Sequence, residues 1–248
     1  MRILYFVLFT LTEYVRSGRI LVEVIAAAAA FYIFFFRSTM QADYFFSTAG
    51  VLVLLLTFYT TSVIIGLGDR PQGYILLVRK LGRSGYLLGL YLAAFIVEMG
   101  FYGVLSLVAA LLNPVADLDI RGWVLGTIPL ALNVALLGAL LMLLAPIVLT
   151  ASWRLVVLAV VALAFSGNLI GGPVLNVLWE PIRVALDVSR TVFSTPLLPA
   201  FTGFSLSVTR DYSNFNIAIP FAQLSLTLSL VALSIYAFSK RDIIFSSS

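Results

Sequence analysis

Glu98 stands near the middle of an unbroken apolar run, Tyr86–Leu112. A carboxylate at the centre of a bilayer costs about 2.5–3.5 kcal/mol on insertion scales, so it normally faces protein or water. At 1.5 Å per helical residue, Glu98 lies roughly 18 Å from the inner end of its run, and Asn133 roughly 16 Å from the outer end of the next. In a hydrocarbon core about 30 Å thick these are similar depths, so the two can hydrogen-bond across neighbouring antiparallel helices. Either Glu98 is protonated, or satisfied by Asn133 or a hydroxyl, and locks the bundle; or it is a polar spot on a substrate path. Thr57, Thr60 and Thr61, with Tyr59 and Ser62, make the second run polar towards its inner half. Such hydroxyls either bond their own helix or a neighbour, or line a path. Glu23, about one turn into the first run, is placed to snorkel to the inner interface or to pair with Arg19.

The chain has no histidine and no cysteine. That excludes thiol catalysis, a Ser–His dyad, disulfides, haem held by His or Cys, Cys-ligated iron–sulfur clusters and the usual zinc sites. No metal site is expected. No G-x-x-x-x-G-K-[ST] occurs, so the chain cannot hold ATP through a P-loop. We therefore expect no catalytic residues and no cofactor bound by this chain.

These polar residues need elements to position them, and composition says which. Of 248 residues, 62% are hydrophobic and 10% charged, against about 45–50% and 25% in soluble proteins. Mean hydropathy is +1.10. So few charged residues cannot cover one soluble core, and unbroken apolar runs exclude a period-two membrane barrel. The expected fold is all-α: a polytopic membrane protein forming one domain over 1–248. Six runs reach or approach the length of a membrane span: Ile20–Phe36, Phe45–Leu67, Tyr86–Leu112, Trp123–Leu149, Leu155–Ile170 and Ile217–Phe238. Pro129 and Pro146 are placed to kink the fourth.

The net charge of +4 fits basic cytoplasmic loops rather than nucleic-acid binding. With the N-terminus inside, Arg2, Arg16, Arg19, Arg70, Arg79, Lys80, Arg83, Arg154, Lys240 and Arg241 are inside, and Arg37, Arg121, Arg183, Arg190 and Arg210 outside. This asymmetry favours two cytoplasmic termini. Residues 1–19 are apolar and aromatic, then charged at helical spacing. They suit a helix lying in the inner interface; the competing reading, a signal peptide, lacks a prompt small-x-small cleavage site.

Between the second and third runs, residues 68–84 form a loop in which Asp69 can cap a short helix, Pro71 suits its first turn and Gly82 its end. Arg79 and Lys80 sit where the helix dipole favours cations. The loop is either a topogenic anchor or a docking element. In the outer segment 171–216, Leu175, Leu178, Ile182, Leu186, Ser189 and Phe193 share one helical face; Asn176, Glu180, Arg183, Asp187 and Arg190 share the other. Glu180–Arg183, Arg183–Asp187 and Asp187–Arg190 can pair. Thr195-Pro196-Leu197-Leu198-Pro199 is expected to end this amphipathic insertion, which either packs at the outer interface or gates a substrate exit.

This layout resembles the membrane permease subunit of type-2 ATP-binding-cassette (ABC) transporters. An interfacial first helix, six spans, a basic loop between spans 2 and 3 and an outer helical insertion between spans 5 and 6 all match. Asp69-Arg70-x-x-Gly73, then Leu76-Leu77 and a basic exit, looks like the family's coupling-helix loop. Tyr236-Ala237-Phe238-Ser239-Lys240-Arg241-Asp242 is similar to its usual ending. Asp69 and Tyr74 stand where the family often has Glu and Thr, which leaves the subfamily open. The resemblance implies export by alternating access and a second permease subunit, in a homodimer or with a similar chain. It further implies separate ABC ATPase subunits carrying ATP and Mg, and the bacterial inner membrane. Asp69, Arg70, Gly73, Arg79 and Lys80 would dock the ATPase. The alternatives are a non-transporting scaffold or assembly subunit, or an ion-coupled secondary transporter with Glu98 as its coupling site.

Overall fold

A computed structural model describes residues 2–36, 40–68, 81–165, 180, 184, 188, 191, 192 and 194–240. The described chain is all-helical, without a strand; its one isolated bridge joins Gln41 to Ala116.

The helices are α1 (Arg2–Arg16), α2 (Ile20–Ala30), α3 (Ala42–Gly68), α4 (Gly82–Leu112), α5 (Ile120–Leu143), α6 (Ala151–Phe165), α7 (Leu198–Thr209) and α8 (Ala218–Lys240). A π-turn, Phe31–Phe35, extends α2, and short 3₁₀ turns lead into α7 and α8. Four elements are long and apolar enough to cross a membrane: α3, α4, α5, and α8 with its leading turn. Helix α1 and the α2 segment form a pair bent by 72°, which makes five if the pair counts as one span. The chain is thus a multi-pass helical membrane protein by length and apolarity.

Six spans were expected, and the difference is local. The α2 segment runs only from Ile20 to Phe35, and the described part of α6 has 15 residues. The fourth run also ends early: α5 stops at Leu143 and residues 144–149 turn back, so Pro146 lies beyond the helix and only Pro129 lies inside it.

Helices α3, α4, α5 and α8 make the bundle, and α7 wedges among α3, α5 and α8. Along α4 the buried residues Ala94, Glu98, Tyr102, Leu105 and Ala109 recur every three or four positions, the stripe of a helix with one face against its neighbours. At one end α1 lies across the start of α4, with the Phe6 ring 5.0 Å from that of Tyr86. A Cβ on Gly89 would lie 2.4 Å from the Phe6 ring, so this approach needs glycine. Arg83 Nη1 donates to the Ser239 carbonyl at 2.7 Å, joining the start of α4 to the end of α8. The opposite end is aromatic: Trp123 packs edge-on to Phe45, with ring centroids 4.8 Å apart.

Candidate functional site

Between these two ends lies a layer of buried polar side chains. Thr57, Thr60 and Thr61 fall on the buried face of α3, in register with Val53 and Ile64, because spacings of three and four repeat on one side of a helix. Glu98 on α4 and Glu23 on α2 are both fully buried.

Glu23 is enclosed by protein and does not turn to Arg19. Its Oε1 accepts hydrogen bonds from the Tyr14 and Thr60 hydroxyls. The reason is the bend between α1 and α2, where Gly18 takes φ +72°, a conformation natural to glycine. That turn folds Tyr14 back over the first residues of α2, so Glu23 meets hydroxyls inside the bundle. Glu23 Oε2 has no hydrogen-bond partner.

Glu98 lies beside Thr57 and Thr60 and within electrostatic reach of Glu23. Neither of its oxygens has a hydrogen-bond partner. The Thr57 hydroxyl donates to the Val53 carbonyl at 2.7 Å, and the Thr61 hydroxyl is unpartnered.

The expected Glu98–Asn133 hydrogen bond is not made. Asn133 Oδ1 accepts from Gln223 Nε2 at 2.8 Å, and the same nitrogen donates to the Pro129 carbonyl at 3.1 Å. Depth was matched, but the azimuth was not: Asn133 faces α8 while Glu98 faces α3. Sequence reasoning missed Gln223, a lone amide in an apolar run. Its fit depends on Gly203 of α7, where a Cβ would fall 2.0 Å from Nε2.

Tyrosines complete the contacts between α4 and α5. The Tyr91 hydroxyl donates to the Ala135 carbonyl at 2.9 Å, and the Tyr102 and Thr127 hydroxyls lie 2.8 Å apart. At the aromatic end, Arg210 Nη2 is 2.6 Å from Asp43 Oδ1, and its guanidinium stands 5.7 Å from the Phe46 ring centre. Nearby, the Ser213 N–H donates to Asp211 Oδ1 at 2.9 Å and holds that exposed carboxyl below the usual carboxylate range.

The outer segment also departs from expectation. Thr195–Leu197 forms a 3₁₀ turn that follows helical residues 191, 192 and 194 and runs directly into α7, with Pro199 in the first turn, so this stretch closes one helix and opens another. Residues 180, 184, 188, 191, 192 and 194 are helical, and Glu180, Val184, Val188 and Val192 are exposed. Arg183, Asp187 and Arg190 lie outside the described residues, as do Asp69, Arg70, Gly73, Arg79 and Lys80.

An apolar groove of about 770 Å³ opens between α2 and α4, bordered by Val24, Ala28, Phe31, Ile96, Gly100 and Phe101. A smaller crevice of about 360 Å³ runs between α3 and the end of α5, with Arg154 of α6 at its edge. Among the described residues no three or more acids come together as a metal-binding group. Comparison with known proteins finds no protein family, curated sequence or solved structure that matches this chain.

Proposed function

We propose that this chain is the membrane-spanning permease subunit of an ABC exporter, with six spans and both termini cytoplasmic. A separate ATPase subunit binds ATP and Mg, and a second permease subunit completes the pore. The observation that carries this reading is the arrangement at one end of the bundle. There α1 lies bent across the start of α4, the end of α8 is tied to Arg83, and both flank the chain that leaves Gly68 and re-enters at Leu81. An ATPase docked at 68–84 would therefore address α1, α3, α4 and α8 together. In this reading Asp69, Arg70, Gly73, Arg79 and Lys80 contact the ATPase, and Glu180, Arg183, Asp187 and Arg190 belong to an outer gate.

The test is purification from native membranes in mild detergent, with stoichiometric partners identified by mass spectrometry. A co-purifying chain carrying G-x-x-x-x-G-K-[ST] is expected, and Arg79→Glu with Lys80→Glu should release it without loss of membrane insertion. A preparation that reproducibly lacks such a chain, also in lipid nanodiscs, overturns the reading.

A further inference from the structure

Every buried side-chain atom left without a hydrogen-bond partner in the described residues is an oxygen: both of Glu98, Oε2 of Glu23, Oε1 of Gln223, and the Thr61 and Ser106 hydroxyls. Three of these belong to two carboxylates in one layer. Three of the nearby hydroxyls are already committed, and that of Thr61 is not. Tyr14 and Thr60 both give their hydrogens to Glu23 Oε1, and Thr57 gives its own to the Val53 carbonyl. Thr57 and Thr60 lie beside Glu98, whose oxygens have no hydrogen-bond partner.

No positive charge balances these two carboxylates. Among the described residues no lysine or arginine is buried. Facing Glu98 are Glu23 from α2 and Thr57 and Thr60 from α3; Tyr14, with Tyr59 near it, reaches the layer through Glu23. From α5 and α8 the buried polar groups are neutral: Asn133 and Gln223 bond each other, and Thr227 and Ser234 donate to carbonyls of their own helix. Tyr91 and Tyr102, on α4 itself, are turned to α5. Two carboxylates in apolar surroundings without a counter-charge are unstable, and removing one charge from such a site is strongly favoured. Two carboxylates and hydroxyls are too few for a divalent cage, but oxygen ligands at mid-membrane suit a proton or an alkali ion.

We infer that Glu23, Glu98, Thr57 and Thr60 form an intramembrane site for one monovalent cation, carried either as a proton on a carboxyl or as an alkali ion held among the oxygens. The consequence falls on α2. Within Ile20–Ala30 only Glu23 and Ala30 are buried, so Glu23 is the one polar side chain by which this stretch enters the bundle. With the cation present, the two carboxylates share it and α2 stays seated; without it, they repel. This inference does not rest on the ATPase reading: a chain that binds no ATPase can hold the cation, and the reverse.

The test uses the full-length protein in nanodiscs. Dicyclohexylcarbodiimide, which reacts with protonated carboxyls in apolar surroundings, is applied between pH 5 and 9 in Na⁺, K⁺ or choline chloride at constant ionic strength. Labelling at Glu98 and Glu23 is read by peptide mass. Loss of labelling as Na⁺ or K⁺ replaces choline identifies an alkali ion. Loss only as pH rises, equal in all three salts, identifies a proton. Thermal unfolding of the wild type should shift with the same variable, and that shift should vanish in Glu98→Gln and Glu23→Gln. Wild-type labelling that is the same at every pH and in every salt, or absent throughout with no shift in unfolding, overturns the proposal. The wild-type arms decide the matter even where a variant fails to fold.

Discussion

The Tyr212 hydroxyl donates to the Leu125 carbonyl at 2.7 Å, and Leu125 is the residue whose carbonyl Pro129 leaves without its helical partner. Proline has no N–H to return to the residue four positions earlier. A side chain from the segment between α7 and α8 thus repairs the break that Pro129 makes in α5. Tyr212→Phe should cost about 1 kcal/mol of stability. In Pro129→Ala the backbone N–H is restored, and the same Tyr212→Phe change should then cost much less. Thermal unfolding of the four proteins in one detergent measures this coupling, and equal costs in both backgrounds would refute the repair.

Gly203→Ala should destabilise the packing of α7 on α8 by about 1–3 kcal/mol, the range for overfilling a well-packed contact. The added methyl lands on the Gln223 amide nitrogen, so the Asn133–Gln223 bond must stretch or break. Adding Gln223→Ala should recover part of the loss, because the obstructing amide is gone. If the double variant is less stable than Gly203→Ala alone by the full cost of Gln223→Ala, the two residues do not compete for one space.

Removing the Tyr14 hydroxyl takes one of two donors from Glu23 Oε1. Tyr14→Phe should cost about 1–3 kcal/mol, as for a buried carboxylate bond, and should act first on the α1–α2 bend. Limited proteolysis near Ser17–Arg19 should quicken in the variant while sites in α4 and α5 stay protected. Uniform acceleration at all sites would show that Tyr14 supports the whole bundle instead.

The Arg210–Asp43 pair should matter far less than its 2.6 Å length suggests. The Asp43 side chain is 67% exposed, and exposed ion pairs contribute about 0.2–1 kcal/mol and weaken with salt. Asp43→Asn should therefore lower stability by less than 1 kcal/mol at low salt and by nothing measurable at high salt. Arg210→Ala should cost more, because it also removes the cation–π contact with Phe46. A larger loss from Asp43→Asn than from Arg210→Ala would invert this ranking.

Hydropathy made α3, α4, α5 and α8 legible, since long apolar runs need no tertiary information to read as helices. It also set Glu98, Thr57, Thr60 and Thr61 within apolar runs, without showing that Glu98 meets the threonines rather than Asn133. What it could not give is azimuth and angle. Asn133 and Glu98 share a depth, yet one faces α8 and the other α3. The contact of Tyr14 with Glu23 depends on a 72° bend, and no periodicity encodes a bend. Helix α7 is not legible in the sequence: Pro196 and Pro199 read as the stop of one helix, but proline is equally at home in the first turn of the next, and only the packing of Gly203, Leu206 and Ser207 reveals that second helix.

Gln223 lies on α8, 90 residues beyond Asn133, and this bears on how the protein is made. While the ribosome still holds α8, the Asn133 amide and the Pro129 carbonyl are already in the bilayer and await their donor. This part of the polar interior is therefore completed only when α8 arrives, whereas the contacts of Glu23 with Tyr14 and Thr60 need only the first three helices. A nascent chain truncated before α8 presents a membrane-exposed asparagine, the kind of mark by which unfinished membrane proteins differ from finished ones.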